Sequence, residues 1–520
     1  MSLDPASLQV LLSRLAGVAE EMSAVLRRSA FSPNIKERAD CSAAVFTVAG
    51  ELLAQAENIP VHLGSMPASV LEAIARFGPS RPELERVMAG EHIIVNDPYA
   101  GGTHLNDITL VTPCFAPDLV GWVATRAHHA DVGGSAPGSM PADATELFAE
   151  GLRIPPLKLT TEVRALVLAN SRTPDERAGD LDAQVGANEV GVARLSGFVD
   201  APLHEVLDYG ERRMKAALAK LPEGSWRFTD VIDSFGPAVD QQVETAITVE
   251  MTIGAGEIGF DFSGSGPQRH GNVNAVESVT VSSVAYALRS VLDPTLPSNG
   301  GTLRPLTVVA PLGTIVNARP PAAVGAGNVE VSQRVADVCF GALACALPGL
   351  ISAASQGTMN NVLIGGISTG DSVPWVYYET LGGGQGGRPL RRGMSGVHTH
   401  MTNTRNTPVE ALERAFPLRV KRMRLRTGSG GAGLHPGGDG IERDLEVLEA
   451  VVLSLITERR VSQPWGMFGG EPGAKGENWL LPGGQESLAV QLPDKVTMSL
   501  AAGDVVRIGT PGGGGWGFNP

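Results

Sequence analysis

Residues 96–131 read NDPYAGGTHLNDITLVTPCFAPDLVGWVATRAHHAD. This stretch gathers His104, Asp107, His128, His129 and Asp131, in a chain with only 10 histidines among 520 residues. The first group lies in a Gly-rich turn, where polar side chains can converge without a regular element in the way. The second follows Leu119–Thr125, an apolar run of strand character. Imidazole and carboxylate at two such junctions, without thiolate, suit a hard-to-borderline divalent cation. A lone His is more often a surface or core residue than a ligand. Two such groups beside one Gly-rich turn favour a metal site. In a strand, His128 and His129 point to opposite faces, so one of the two meets the metal and the other is free for proton transfer or support. Spacing alone does not say which.

Working outward, the rest of the chain alternates helices and β runs. Residues 6–30 carry Leu8, Leu11, Leu12, Leu15, Val18, Met22, Val25 and Leu26 at helical spacing. Residues 37–46 turn from polar to strand-like. Residues 61–77, 177–221, 279–292 and 331–347 read as helices, 225–262 as β strands, and 303–316 as a strand pair. Gly133–Pro141 is a Gly/Pro/Ser loop placed to act as a lid or wall. The expected fold class is α+β: a multi-domain chain of mixed helices and β-sheets with a Gly-rich, β-containing C-terminal half. The expected boundaries are 1–225 for a metal-site domain, 226–365 for a central α/β domain and 366–520 for the C-terminal domain.

Bulk properties exclude several functions. A net charge of −14 opposes general binding to nucleic acid or anionic membranes, and 5% aromatic residues leave few stacking platforms. No apolar run reaches the length of a membrane span, and MSLDPASLQV lacks the form of a signal peptide. Cys41, Cys114, Cys339 and Cys345 have no CxxC spacing and read as buried free thiols in a reducing cytoplasm. The Gly-rich segments 382–388, 428–440 and 510–517 lack the Lys-Ser/Thr of a phosphate loop, so 382–388 and 510–517 read as tight turns and no ATP site is expected. A further polar cluster, Ser395–Pro408, places His398 and His400 on one face if it is a strand. Its Thr and Asn content favours a hydrogen-bond network over a second metal site, with Arg405 and Asn406 able to orient a carbonyl or phosphate.

Several longer motifs resemble the hydantoinase B/oxoprolinase family. They are NDPYAGGTHLNDITLVTPCF, RAHHADVGGSAPGSMP, EGLRIPPLKL, GVHTHMTNTRNTPVE, RLRTGSGGAGLHPGGDG and TPGGGGWG, in order from about Arg38 to the C-terminus. The resemblance implies one subunit of an ATP-dependent hydrolase of a cyclic amide such as a lactam, hydantoin or 5-oxoproline. A hydantoinase A-type partner with an actin-like fold would hold the ATP, in a cytoplasmic hetero-oligomer. It implies a divalent metal (zinc, manganese or iron) on Asp40, His104, Asp107 and, by motif order, His128. His129 and Asp131 are then candidate general bases. The connection Ala116-Pro117-Asp118 is one residue shorter than usual, which keeps His129 as the alternative ligand. Two other functions stay open: a subunit of an acetone- or acetophenone-type ketone carboxylase, and a non-catalytic scaffold for the ATPase subunit.

Overall fold

The computed structural model describes residues 3–56, 58–370 and 372–518. Helix α1 (Pro5–Ser29) starts where Asp4 accepts from the Ala6 and Ser7 amides and Pro5 occupies the first turn. It buries Leu8, Leu11, Leu15, Val18, Met22 and Leu26, the face read from their spacing. A short α2 (Pro33–Lys36) leads to the first sheet. That sheet holds β1 (Cys41–Phe46), β2 (Leu52–Gln55), β3 (Ile93–Val95), β4 (Asp107–Phe115), β5 (Leu119–His128) and β6 (Leu157–Lys158) in the order β2-β1-β5-β4-β3-β6. All its pairings are antiparallel.

Helix α3 (His62–Phe77) covers one face of this sheet. Helix α1 and α5 (Pro174–Leu195), with α4 (Thr161–Ala169) packed against α5, cover the other. With both faces covered, β1 is buried at every position and carries no polar alternation. The helical stretch expected at 177–221 is interrupted. Helix α5 ends at Leu195, and Pro202 opens α6 (Leu203–Leu218) after a turn of 3₁₀ helix at Ser196–Phe198.

A second sheet, ordered β10-β9-β8-β7, contains β7 (Gly224–Ile232), β8 (Thr245–Gly254), β9 (Glu257–Asp261) and β10 (Leu306–Val309). Helix α7 (Glu277–Val291) lies against α3, and α8 (Ser332–Ala346) against α7 and this sheet. The strand pair expected at 303–316 is a single strand. Leu306–Val309 runs parallel to β9, after which Pro311 supplies no donor and the chain turns, Gly313 N–H donating to Asn317 at 2.7 Å. Of the four cysteines expected to be buried, Cys345 is exposed; all four are free thiols.

Two further sheets complete the chain. One holds β11 (Asn361–Ile367), β12 (Pro374–Thr380), β15 (Val451–Ile456) and β18 (Lys495–Leu500) in the order β12-β11-β15-β18. The other runs β13-β14-β19-β16-β17, from β13 (Leu418–Leu425), β14 (Ile441–Val447), β16 (Glu477–Leu481), β17 (Val490–Leu492) and β19 (Val505–Gly509). Helix α9 (Val409–Ala415) packs on β13. The chain is thus a multi-domain α+β protein. One apolar cluster runs from Ile59 through Val249 and Val335 to Tyr378 and Ile456, tying early, central and late segments together.

The Gly-rich segments 382–388 and 510–517 are not the tight turns expected from their composition. Gly384, Gly386, Gly438, Gly512 and Gly513 all lie outside the left-handed region. They belong to segments laid side by side. Gly438 N–H donates to Gln385, Gly513 to Gly438, Gly387 to Gly514, and Gly431 to Gly513. A Cβ on Gly438 would stand 1.9 Å from the Met394 carbonyl oxygen, and one on Gly513 2.2 Å from that of Gln385. Glycine is required here because backbone meets backbone. Gly438→Ala should cost about 2–4 kcal/mol of stability, since the obstacle cannot rotate away. Gly428→Ala should cost only ~1 kcal/mol, because Gly428 has φ +85° but nothing within 4 Å of its Cβ position. Paired denaturant titrations check the contrast; equal losses would contradict it.

Candidate metal centre

Strand register brings the site together. In the β4–β5 pair Asp107 stands opposite His128, and in the β1–β5 pair Cys41 stands opposite Ala127. Asp40, just before β1, therefore neighbours His128, whose amide donates to the Asp40 carbonyl at 3.0 Å. Three neighbouring strands thus offer Asp40, His128 and Asp107 at one end of the sheet. His104 joins them from the Gly-rich turn, which closes as the Asp107 amide donates to the His104 carbonyl. The short connection at Ala116–Asp118 is taken up by an irregularity between Cys114 and Phe115, far from the site end of the hairpin.

His104, Asp107 and His128 form a tight triangle. The Nε2 of His104 is 3.1 Å from the Nδ1 of His128 and 3.2 Å from the Oδ1 of Asp107, and His128 Nδ1 is 3.3 Å from the same oxygen. All three side chains are nearly inaccessible, at 1%, 2% and 3% exposure for His104, Asp107 and His128. Ligands roughly 2.0–2.2 Å from a common cation stand about 3.0–3.4 Å apart in octahedral or tetrahedral arrangements, and the triangle falls in that interval.

The charge balance points the same way. Burial pushes the Asp107 carboxyl up, but the imidazoles of His104, His128 and His62 outweigh it and hold it well below its usual range. Burial also depresses His104, but the Asp107 carboxylate prevails and raises it. Burial lowers His128. Three donor atoms facing one another at these distances require shared positive charge, which a proton or a divalent cation can supply. Asp40 fits the same need. Asp40 is 7% exposed, and among the described residues its side chain accepts no hydrogen bond. It lies within electrostatic reach of both His104 and His128. His104, Asp107 and His128 stand close enough to hold a metal ion, and Asp40 lies outside that tight triangle.

His129 and Asp131 are not brought into this group. His129 points to the opposite face, where its Nε2 donates to Gln184 Oε1 at 2.9 Å. Gln184 in turn donates to the carbonyls of Ile108 and Thr125, which fixes the polarity of that bond. Burial, then the nearby Arg177, pushes His129 down to about 4. The Asp131 carboxylate accepts from the amides of Gly133, Gly138 and Arg172 and from the Arg172 guanidinium. It pins the Gly133–Pro141 loop against Arg172.

Four residues beside the site escaped sequence reasoning. His62, at the start of α3, places its Nε2 3.5 Å from Asp107 Oδ2, while its Nδ1 meets Ser42 Oγ at 2.8 Å. Tyr378 stacks on His128 at 4.6 Å between ring centroids, with Arg38 over its ring at 4.7 Å. Glu150 acts electrostatically on His104, and burial raises its carboxyl to about 7 although the Val324 and Gly325 amides donate to it. Glu150 opens the motif EGLRIPPLKL and Arg38 precedes Asp40 by two residues, so the signal for these two was present. His62 and Tyr378 carry none.

The Ser395–Pro408 cluster is not a strand. His400 has φ +56°, so it and His398 do not share a strand face. His400 Nε2 meets Asp337 Oδ1 at 3.0 Å and its ring stacks on Phe340 at 5.2 Å. The Arg405 amide donates to the Arg38 carbonyl and the Asn406 side chain to that of Thr380.

Comparison with known proteins places this geometry. The sequence pattern of the hydantoinase B/oxoprolinase family matches residues 4–519. The chain belongs to that family. An uncharacterized protein of Methanocaldococcus jannaschii is 43% identical, with 99% of this chain and 91% of that one aligned. The 5-oxoprolinase 1 of Arabidopsis thaliana is 36% identical over 99% of this chain, which spans 42% of that protein's length. Among solved structures, the ATP-dependent caprolactamase of Pseudomonas jessenii superposes with a TM-score of 0.90 at 27% identity, covering 99% of this chain and 92% of that one. No helix among the described residues is long and apolar enough to cross a membrane.

Proposed function

We propose that this chain is the metal-bearing hydrolytic subunit of an ATP-dependent cyclic amide hydrolase. Its substrate would be a lactam, hydantoin or 5-oxoproline-like ring, activated by phosphorylation on a hydantoinase A-type partner. The observation that carries this reading is the buried triangle of His104, His128 and Asp107, found in a chain of the hydantoinase B/oxoprolinase family. The names of its relatives, an oxoprolinase and an ATP-dependent caprolactamase, support the substrate class.

The amide bond explains the division of labour. Its carbonyl is a poor electrophile and its nitrogen a poor leaving group, so phosphorylation on the partner would activate the carbon. A divalent cation on Asp40, His104, Asp107 and His128 would supply Lewis acidity, making water nucleophilic near neutral pH and polarising the substrate. The Thr103 hydroxyl donates to the second oxygen of Asp107, with His62 Nε2 3.5 Å from that oxygen, and Tyr378 fixes the plane of the His128 ring. His129 and Asp131 serve as positioning residues, one locking β5 to α5 and the other anchoring the 133–141 loop. Glu150, buried against the Val324 and Gly325 amides, stands within electrostatic reach of His104 and adds negative charge beside the metal ligands.

The chain alone should neither bind nor hydrolyse ATP appreciably, because no phosphate-cradling loop is present in its sequence. It should co-elute with an A-type subunit after co-expression. Calorimetry showing micromolar ATP affinity for the lone chain would contradict this. The test of the function is ATP turnover by the pair across lactams, hydantoins and ketones, with and without bicarbonate. Ring opening independent of bicarbonate is expected. Bicarbonate-dependent conversion of ketones alone would replace this reading with the carboxylase one. Activity retained after complete removal of metal would favour a scaffold.

A further inference from the structure

A cavity of about 630 Å³ lies apart from the metal triangle, between α7, α8 and the segments around Leu350, Arg388 and His398. Its apolar lining comes from Tyr286, Val291, Phe340, Leu350 and Ile351. Arg388, His398, Thr399 and His400 also line it. No Asp or Glu lines the cavity, although the chain as a whole has a net charge of −14.

Its polar lining has unused donors. The Arg388 side chain makes no hydrogen bond or ion pair among the described residues, and its Nε is buried. The His398 Nε2 and the Thr399 Oγ1 are likewise buried without a partner. Buried polar atoms are normally satisfied, and an arginine in a protein this acidic readily finds a carboxylate. Arg388, His398 and Thr399 instead face one space from adjoining segments. His400 is not available, because Asp337 already accepts from it and is in turn bound by Arg334 and Arg459. A planar guanidinium, a hydroxyl and an imidazole nitrogen lining one cavity match an oxyanion, and its aromatic and aliphatic lining matches an apolar body.

We propose that this cavity binds a small molecule with an oxyanion at one end, a carboxylate or phosphoryl group, and an apolar body at the other. Arg388 is its charge partner, and Thr399 and His398 complete the hydrogen bonds. Arg38 acts electrostatically on His398 and lies over Tyr378, which stacks on His128. The proposal does not rest on the reaction assigned above, since its test needs neither ATP nor a partner subunit.

The experiment is calorimetry on the full chain after chelator treatment, with three ligands: hexanoate, its uncharged analogue hexanamide, and inorganic phosphate. Hexanoate or phosphate should bind at one site per chain, and the one that binds identifies carboxylate or phosphoryl as the recognised group. Hexanamide should bind more weakly than hexanoate by about tenfold or more, as expected for loss of a charge-assisted contact. Arg388→Gln should weaken the anion by about tenfold or more, Arg388→Lys should restore part of it, and His104→Ala should leave it unchanged. Should Arg388→Gln fail to fold, Thr399→Val takes its place, with a smaller loss expected in the same direction. The proposal is overturned if neither anion binds at millimolar concentration. It is equally overturned if binding is indifferent to Arg388 and Thr399, or if His104→Ala abolishes it, which would place the anion at the metal centre.

Discussion

His104→Ala and Asp107→Ala should each abolish stoichiometric metal binding and lower turnover of the assembled enzyme by about 10³-fold or more, equivalent to at least ~4 kcal/mol of transition-state stabilisation. The magnitude follows from geometry. Each variant removes one corner of a triangle with sides of 3.1, 3.2 and 3.3 Å, the group of three among the described residues close enough to hold a metal. Asp107→Ala is the more severe of the two, because one carboxylate faces His104, His128 and His62. Removing it leaves three buried imidazoles without their shared anion. Asp107→Asn keeps the volume and separates the electrostatic loss from a packing defect. Metal content by elemental analysis, beside thermal unfolding and turnover, checks all three variants. Full metal content in both alanine variants would contradict the site.

The second large effect is a split between adjacent histidines. His128→Ala should lose metal and turnover together, again by about 10³-fold. His129→Ala should keep most of its metal. Its imidazole lies on the other face of β5, bonded to Gln184 at 2.9 Å, so the loss should fall on stability. The cost should be about 1–3 kcal/mol, because Gln184 Oε1 is left buried without its donor. Turnover should fall only as far as the β5–α5 contact loosens. Metal lost in His129→Ala but kept in His128→Ala would place the ligand one residue further along the chain.

The outline of the site was legible because two physical signals coincide in residues 96–131. Gly-rich punctuation and apolar runs marked the elements, and the scarcity of histidine made its clustering informative. Period-two alternation separated His128 from His129 without deciding between them. In the fold, His128 stands opposite Asp107 while His129 meets Gln184 on the other face. What was not legible depends on distant pairing. Asp40 was named only through the family resemblance, because its place beside His128 comes from β1 lying beside β5, which no local pattern carries. His62 looks like an ordinary helix start, and Tyr378 like an apolar strand residue, until α3 and β12 bring them to the sheet end. The Gly-rich segments misled for a similar reason. Composition alone does not separate a glycine needed for a left-handed turn from one needed where two backbones touch, and Gly384, Gly438 and Gly513 are of the second kind. The strand pair expected at 303–316 failed on Pro311 and on the turn at Gly313, both visible in the sequence but outweighed by the apolar run around them.

The central claim is that His104, Asp107 and His128 hold a divalent metal. Its most direct test is anomalous diffraction from crystals of protein loaded with zinc or manganese. One peak is predicted per chain, roughly 2.0–2.3 Å from His104 Nε2, His128 Nδ1 and Asp107 Oδ1, with Asp40 turned toward it. A peak held by any other set of side chains, or none in metal-loaded crystals, would contradict the account.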